Sequence, residues 1–254
     1  MMDGTITFLQ KIMFKKLPRR FKNRVKLIFS AIFSTSSDLE KTMASISKPK
    51  DMLLRSWGNP YDILTKLLPQ YDRLDNDILQ LTDSESNPES SEADVVSLLY
   101  NVIRQTKSKT AIEIGVYHGA ASLSIAQGID KNGGGEVHLV DTSKEFLQDV
   151  SRKISQKNWQ VTVHQHHIKT NKKTGVTGLP KTDILFIDAA HTFEAVKNDL
   201  RQYQPFISPG GFLILHDTIR HEGPRRVVAE MFEKGLKGCS FATSRGSGVT
   251  IFQY

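Results

Sequence analysis

Two apolar stretches of the chain end in side chains that can carry out acid–base or metal chemistry. The stretch DILFIDAAHTF runs through Asp188 and places His191 three residues further on, and GFLILHDT ends in His216 and Asp217. A neutral imidazole can take a proton from a hydroxyl, so His191 is a candidate general base. A divalent cation would compensate an otherwise unpartnered acid, and oxygen ligands suit Mg²⁺ or Mn²⁺. Asp188, His216 and Asp217 are therefore candidate metal ligands.

The same residues also allow a site without a metal. In that alternative, Asp188 accepts hydrogen bonds from backbone amides and His216 contacts the substrate. Imidazole binds magnesium poorly, so His216 indicates either a softer metal or a residue that is not a ligand.

A second group of residues is typical of a nucleoside-binding turn. The segment Glu113-Ile114-Gly115-Val116-Tyr117-His118-Gly119 ends an apolar run, and its glycines allow a close approach of the backbone to a ligand. A dinucleotide fingerprint needs glycine at positions 115, 117 and 120, but the chain has Tyr117 and Ala120. The next apolar run ends in Asp141, which can accept hydrogen bonds from two ribose hydroxyls. This combination favours an adenosine-type ligand with little phosphate recognition.

The elements that must position these residues alternate between strand and helix from about residue 109. We predict strands at 110–116, 136–141, 161–167, 183–188 and 211–217, and helices at 93–106, 120–127, 144–155, 191–207 and 224–236. The tail from residue 239 reads as two strands around a turn. On the third strand, we expect one of His164 and His166 to be solvated and the other packed. Such alternation predicts an α/β fold, in which a mostly parallel sheet has helices on both faces.

The composition excludes several other classes of protein. The chain has 254 residues and one cysteine, Cys239, so an internal disulfide and zinc sites built on cysteine pairs are excluded. No apolar stretch approaches the roughly 20 residues of a membrane-spanning helix. Residues 1–26 hold eight lysines and arginines against one acid, Asp3, which accounts for the whole net charge of +7. The remainder is balanced, so we expect no nucleic-acid partner.

The chain before residue 93 divides into two parts. Residues 1–48 form a basic amphipathic arm, which suits a helix on an anionic membrane surface, a helix packed on its own domain or a dimer mate, or an organellar transit peptide. Residues 49–92 are predicted to form a helical lid or dimer segment, followed by an acidic, serine-rich linker. We expect a cytoplasmic homo-oligomer, and a peripheral membrane contact through the arm is one of these three alternatives.

From residue 93 to 254 the sequence resembles the class I S-adenosylmethionine-dependent methyltransferases. The resemblance lies in AIEIGVYHGAASLSIA, VHLVD, DILFIDAAHTFEAVKNDLRQYQPFISPGGFLILHDT and the terminal GSGVTIF, in that order. It is strongest with the metal-dependent O-methyltransferases that have an Asp-x-x-His after strand four and PGG…HD through strand five.

The resemblance implies a Rossmann-like, seven-stranded sheet that binds S-adenosylmethionine at the carboxyl ends of its first two strands. It implies that Glu113, Gly115 and Gly119 frame the methionine part of the cofactor and that Asp141 holds the ribose. Related catechol-type enzymes have a serine two residues after the second glycine. This chain has Ala121 there, with Ser122 next to it as the substitute cofactor contact.

Methyl transfer from S-adenosylmethionine to a hydroxyl of a small molecule is the function that this sequence favours. Sugar-bearing or phenolic natural products are the acceptors suggested by the resemblance, with metal assistance and His191 as general base. Two alternatives stay open. One is a metal-independent methyltransferase that acts on nitrogen or on a membrane-associated acceptor, and the other is a non-catalytic scaffold that retains the cofactor pocket.

Overall fold

A computed structural model of the chain describes residues 74–83, 85–87, 89–168 and 178–254. The predicted basic arm at 1–48 and most of the predicted lid or dimer segment lie outside the described residues. None of the described helices is long and apolar enough to cross a membrane.

The described chain alternates between strands and helices, as the hydrophobic pattern predicts. The strands are β1 Thr110–Ile114, β2 Gly135–Asp141, β3 Val161–His167, β4 Thr182–Ile187, β5 Ile207–His216, β6 Gly238–Phe241 and β7 Val249–Gln253. The helices are α1 Asn76–Leu81, α2 Ala93–Thr106, α3 Ala120–Lys131, α4 Lys144–Ser155, α5 Phe193–Tyr203 and α6 Glu222–Glu233. A short 3₁₀ turn, Gln204–Phe206, follows α5.

The seven strands form one sheet in the order β3-β2-β1-β4-β5-β7-β6. Strands β1 to β5 are parallel, and β7 runs antiparallel to both β5 and β6. The predicted α/β class and the mostly parallel, seven-stranded sheet are therefore confirmed. Because β1 and β4 are neighbours whose connections leave in opposite directions across the sheet, a crevice opens at their carboxyl ends.

Two apolar layers pack against the sheet, one on each face. On one face Ala111, Val137 and Leu139 pack with residues of α2, α3 and α4. On the other face Ile112, Leu185 and Leu213 pack with α5 and α6. Strand side chains alternate between these layers, as expected when a sheet is buried on both faces. Helices therefore cover both faces, and the strand ends are left for polar side chains.

Several predicted bounds shift by a few residues, and two of the changes have a clear physical reason. The helix predicted to run to residue 207 ends at Tyr203, because Pro205 in the following 3₁₀ turn cannot donate a backbone hydrogen bond. The prediction for His164 and His166 is wrong, because residues two apart on a strand face the same side. Both rings lie within 5.3 Å, centroid to centroid, of the His138 ring on β2.

Candidate active site

The ends of β1 and β4 approach each other so closely that only glycine fits between them. Gly115 follows β1 with φ of +87°, and a Cβ atom at this position would collide with the backbone carbonyl of Asp188. The Asp188 amide in turn donates to Ile114 O at 2.9 Å. A left-handed glycine therefore seats Asp188 beside the turn that follows β1.

Two adjoining cavities open at this edge of the sheet. The first, about 530 Å³, lies over β1 and β2, and the second, about 520 Å³, lies over β4 and β5. Both are lined by five shared residues, which are Gly115, Val116, Tyr117, Asp188 and Ala189. Groups bound in the two cavities would therefore meet at this common wall.

The first cavity has the features expected of a nucleoside pocket. Asp141 lies at its edge and accepts hydrogen bonds from the amides of Val116 and Ser143, both at 2.8 Å. Each carboxylate oxygen can accept a further bond, so Asp141 remains able to hold ribose hydroxyls. Phe146 and Ile168 add apolar walls that suit a flat ring.

Glu113 and Ser122 lie beneath the cavities. Both are fully buried, and a side-chain interaction with Ser122 favours the charged form of Glu113. Burial, together with the charges of Asp188 and Asp141, raises the pKa of Glu113 well above its usual range. Glu113 lines the second cavity, but Ser122 lines neither, and its neighbours Ala120 and Ala121 do instead. Ser122 therefore faces Glu113 rather than an open pocket.

The second cavity brings the other predicted residues together. His216 Nδ1 lies 2.9 Å from Asp188 Oδ1 and 3.7 Å from Asp217 Oδ2. His191 Nε2 lies 2.8 Å from the same Asp217 oxygen. All four of these residues line the cavity, so the acids and imidazoles converge on one space.

Asp217 is held in an uncommon backbone conformation. Its φ is +58°, the left-handed region that residues other than glycine seldom adopt. The turn directs its carboxylate between the rings of His191 and His216, and it also lies 3.9 Å from His221 Nε2. The ring of His221 stacks on that of His191 with centroids 4.2 Å apart. Such conformations persist where the surrounding structure enforces them, often at functional sites.

Glu92 is a site residue that the sequence did not indicate. It directly precedes α2, is 1% exposed, and its Oε2 lies 2.8 Å from His216 Nε2. Its other oxygen accepts hydrogen bonds from Thr243 Oγ1 at 3.0 Å and from Ser247 Oγ. Glu92 thus joins the start of α2 to the end of β5 and to the β6–β7 connection.

Ser91 was also missed. Its hydroxyl donates to Asp188 Oδ2 at 2.9 Å. The sequence assigned both Ser91 and Glu92 to a linker, whereas the structure buries them against the site. The acidic, serine-rich composition of this segment is typical of linkers, so it did not indicate that the two residues are buried.

The charges in this cluster support one another. Burial would raise the pKa of Glu92, but the hydrogen bond and charge of His216 outweigh burial and lower the pKa to about 2. Burial would also raise the pKa of Asp188, and His216 again lowers it. For His216, burial opposes the charged form, but Asp188 and Glu92 raise the pKa well above its usual range. The hydrogen bond to Asp217 raises the pKa of His191.

The comparisons with known proteins agree with this architecture. Residues 112–218 match the family model of a methyltransferase domain. No curated protein sequence matches the chain.

Solved structures share the fold. The O-methyltransferase TomG from Streptomyces achromogenes, involved in tomaymycin synthesis and solved with SAM, matches 80% of this chain and 98% of its own at 16% identity and a TM-score of 0.53. An O-methyltransferase from Bacillus cereus in complex with SAH matches 76% of this chain and 96% of its own at 16% identity and a TM-score of 0.53. The SAH-bound methyltransferase PaMTH1 from Podospora anserina matches 76% of this chain and 93% of its own at 17% identity and a TM-score of 0.52.

The family match spans β1 to the end of β5, which is the part of the sheet that forms both cavities. Residues 112–218 therefore match a methyltransferase domain, and the described chain has the Rossmann-like fold that these O-methyltransferases share.

Proposed function

We propose that the enzyme transfers the methyl group of S-adenosylmethionine to a hydroxyl of a small molecule, with His191 as the general base. The observation that carries this proposal is the common wall of the two cavities. The methyl donor fits the first cavity, and the acceptor fits the second, beside His191 and Asp217. Sugar-bearing and phenolic natural products are the acceptor classes that we favour.

In this proposal, the first cavity holds the adenosine part of the donor, where Asp141 accepts hydrogen bonds from the ribose hydroxyls. The methionine part crosses the common wall at Gly115 into the second cavity, which Gly119 and Glu113 line. Glu113 lies below that part as a buried carboxyl. The apolar lining of Phe146 and Ile168 excludes water from the adenine side.

The protein's part in the chemical step is to move a proton. With its Nε2–H donated to Asp217, the His191 ring presents Nδ1 as the unprotonated nitrogen. His191 accepts the hydroxyl proton as the acceptor oxygen forms its bond to the methyl carbon and the carbon–sulfur bond breaks. The Asp217 carboxylate stabilises the imidazolium that results, which is why it raises the pKa of His191.

The residues present also fit a divalent cation. Donor atoms of Asp188, His216 and Asp217 lie within 4.8 Å of one another. Glu92 can accept a hydrogen bond from His216 Nε2–H, which in a neutral ring leaves the Nδ1 lone pair directed at Asp188 and Asp217. A carboxylate behind a histidine is the usual support of a metal ligand. A bound cation would lower the pKa of the acceptor hydroxyl, and the mixed nitrogen and oxygen donors favour Mn²⁺ over Mg²⁺.

A metal-independent reaction is the second candidate, and the Glu92–His216–Asp188 contacts favour it. A doubly protonated His216 would bind both buried carboxylates and neutralise much of their charge. In that state Nδ1 carries a proton and cannot bind a cation. The two candidates thus differ in the protonation of one nitrogen.

The test is transfer of label from S-adenosylmethionine to a panel of sugar hydroxyls, phenols and amines, with and without chelator. We expect hydroxyl acceptors to be labelled and chelation to abolish turnover. His191→Ala should reduce turnover by roughly 10²–10⁴-fold with little change in cofactor affinity. His167→Ala, which removes an exposed histidine bonded to Thr142 O, is the matched control.

Each other outcome contradicts one part of the proposal. Turnover that survives chelation supports the metal-independent candidate, and labelling of amines alone removes the hydroxyl assignment. A loss of cofactor affinity in His191→Ala would contradict its role as base. Cofactor binding with no turnover on any acceptor would indicate the non-catalytic scaffold.

The cytoplasmic location, the homo-oligomer and the membrane contact of residues 1–48 remain proposals from the sequence alone. Deleting the arm should leave turnover intact if it only docks to a surface.

A further inference from the structure

A second group of potential metal ligands lies on β2 and β3, in a part of the sheet that the proposed reaction does not use. The parallel register pairs His138 with His164 and Val140 with His166. Glu136, two residues before His138, faces the same side of the sheet. The helices α3 and α4 pack on these two strands, on the face of Val137 and Leu139. Three imidazoles and a carboxylate thus gather on the other face.

The distances within this group suit metal ligands better than hydrogen bonds. Glu136 Oε2 lies 3.3 Å from His138 Nε2 and 3.4 Å from His164 Nε2. Charge-assisted hydrogen bonds between nitrogen and carboxylate are shorter, about 2.7–2.9 Å. Two ligands of a tetrahedral zinc ion with bonds of about 2.0–2.1 Å lie about 3.3–3.4 Å apart. In addition, His164 Nε2 is a buried atom with no hydrogen-bond partner among the described residues.

His166 provides the support that a metal-binding histidine needs. Its Nε2 lies 3.0 Å from His138 Nδ1, so His138 can donate its proton there and keep the Nε2 lone pair for a metal. A neutral imidazole is the form that binds a transition metal.

We propose that Glu136, His138 and His164 form a zinc site on β2 and β3, separate from the methyl-transfer site. His138 is 5% exposed and therefore fixed, whereas the side chains of Glu136 and His164 are close to half exposed and can adjust. The rings of His138 and His164 are stacked at 9°, so the proposal requires the half-exposed His164 ring to turn on zinc binding until its Nε2 lone pair points at the same ion as that of His138. Solvent completes the coordination. The ion fastens β3, the edge strand, to β2.

The experiment uses the full chain without an affinity tag, stripped of metal and dialysed against ZnCl₂, with zinc and protein then quantified. We expect His164→Ala and Glu136→Gln each to bind one zinc ion fewer per chain than the unsubstituted protein. His167→Ala, three residues after His164 on β3 and outside the group, should bind as many zinc ions as the unsubstituted protein. Zinc at 100-fold its Kd should raise the Tm of the unsubstituted protein on the order of 5 °C more than that of His164→Ala.

Two results would overturn the proposal. Equal zinc contents in all four proteins would exclude a site at Glu136 and His164, and a loss in His167→Ala as well would mean non-specific binding by surface histidines. Glu136→Gln changes a half-exposed carboxylate and should not disturb folding. Its zinc content therefore tests the site even if His164→Ala folds poorly. Because zinc content is measured without acceptor or cofactor, the result does not depend on the proposed methyl transfer.

Discussion

Glu92 offers the sharpest test of how the second cavity is held together. Its carboxylate is buried between His216 on β5 and two hydroxyls of the β6–β7 connection. The pKa of Glu92 falls from 4.5 to about 2 in the folded protein. At about 1.4 kcal/mol for each unit of pKa, the charged form contributes about 3 kcal/mol to the free energy of unfolding near neutral pH. Breaking a buried ion pair costs about the same, roughly 3–5 kcal/mol.

Glu92→Gln removes this charge and keeps the shape of the side chain. The amide oxygen can still accept from Thr243 and Ser247, but the amide nitrogen now faces His216 Nε2 as a second donor. His216 must then give up its Nε2 proton or lose the contact. We expect the free energy of unfolding to fall by about 3 kcal/mol and the Tm to fall by roughly 6–12 °C.

Asp94→Asn is the matched control. Asp94 lies two residues after Glu92, in the first turn of α2. It also accepts hydrogen bonds from the β6–β7 connection, through the amide and hydroxyl of Ser244, but this contact lies at the surface. Its loss of charge should cost less than about 1 kcal/mol. Urea unfolding of the three proteins with chelator present measures the difference without a contribution from bound metal.

The pH dependence of the free energy of unfolding is a second test of the contact between Glu92 and His216. A depressed pKa stabilises the folded state above the unfolded value of 4.5, and this contribution is lost as the pH falls towards 2. The difference between the unsubstituted protein and Glu92→Gln should therefore be largest between about pH 5 and pH 6.5 and shrink below pH 4. It should shrink again at higher pH, because the folded protein then loses the His216 proton that Glu92 helps to retain. Equal stabilities of Glu92→Gln and Asp94→Asn at pH 7 would refute the reasoning, because the buried pair would then contribute no more than a surface acid.

Two further predictions concern the crevice and its surroundings. Gly115→Ala places a Cβ against the Asp188 carbonyl, so we expect this variant to lose S-adenosylhomocysteine binding, measured by calorimetry. Gly210→Ala is the control, because Gly210 also has a positive φ, +81°, but open space around it, and it should retain binding. Equal binding by both variants would contradict the predicted clash. Burial raises the pKa of Asp199 from 3.8 to about 6, so the free energy of unfolding decreases as the pH rises from 4 to 6 and Asp199 loses its proton. Asp199→Asn should therefore match the unsubstituted protein near pH 4 and exceed its free energy of unfolding by about 3 kcal/mol above pH 7, whereas a pH-independent difference would contradict the raised pKa.

Much of the fold could be predicted because its signals are local. The helix α4 and the strand β3 have the bounds that periodicity predicts, Lys144–Ser155 and Val161–His167. Asp188 and Asp217 directly follow apolar strands and His216 ends one, and the carboxyl ends of neighbouring parallel strands meet at one edge. Their convergence in a single cavity follows from that topology.

The residues that sequence reasoning missed are those whose role depends on contacts distant in the chain. Glu92 lies 124 residues before His216, in a serine-rich acidic segment that reads as solvated linker. Only the packing of α2 brings it to the end of β5. Ser122 was predicted to contact the cofactor, and the structure buries it beside Glu113, outside the lining of both cavities. The register of β2 and β3 likewise unites His138 with His164, which spacing along the chain does not reveal.

The most direct test of the central claim is a structure with S-adenosylhomocysteine and a hydroxyl acceptor bound. Our account predicts the ribose on Asp141, the sulfur at the wall of Gly115 and Asp188, and the acceptor hydroxyl between that sulfur and His191. A nucleoside bound elsewhere, or an acceptor oxygen remote from His191, would contradict it.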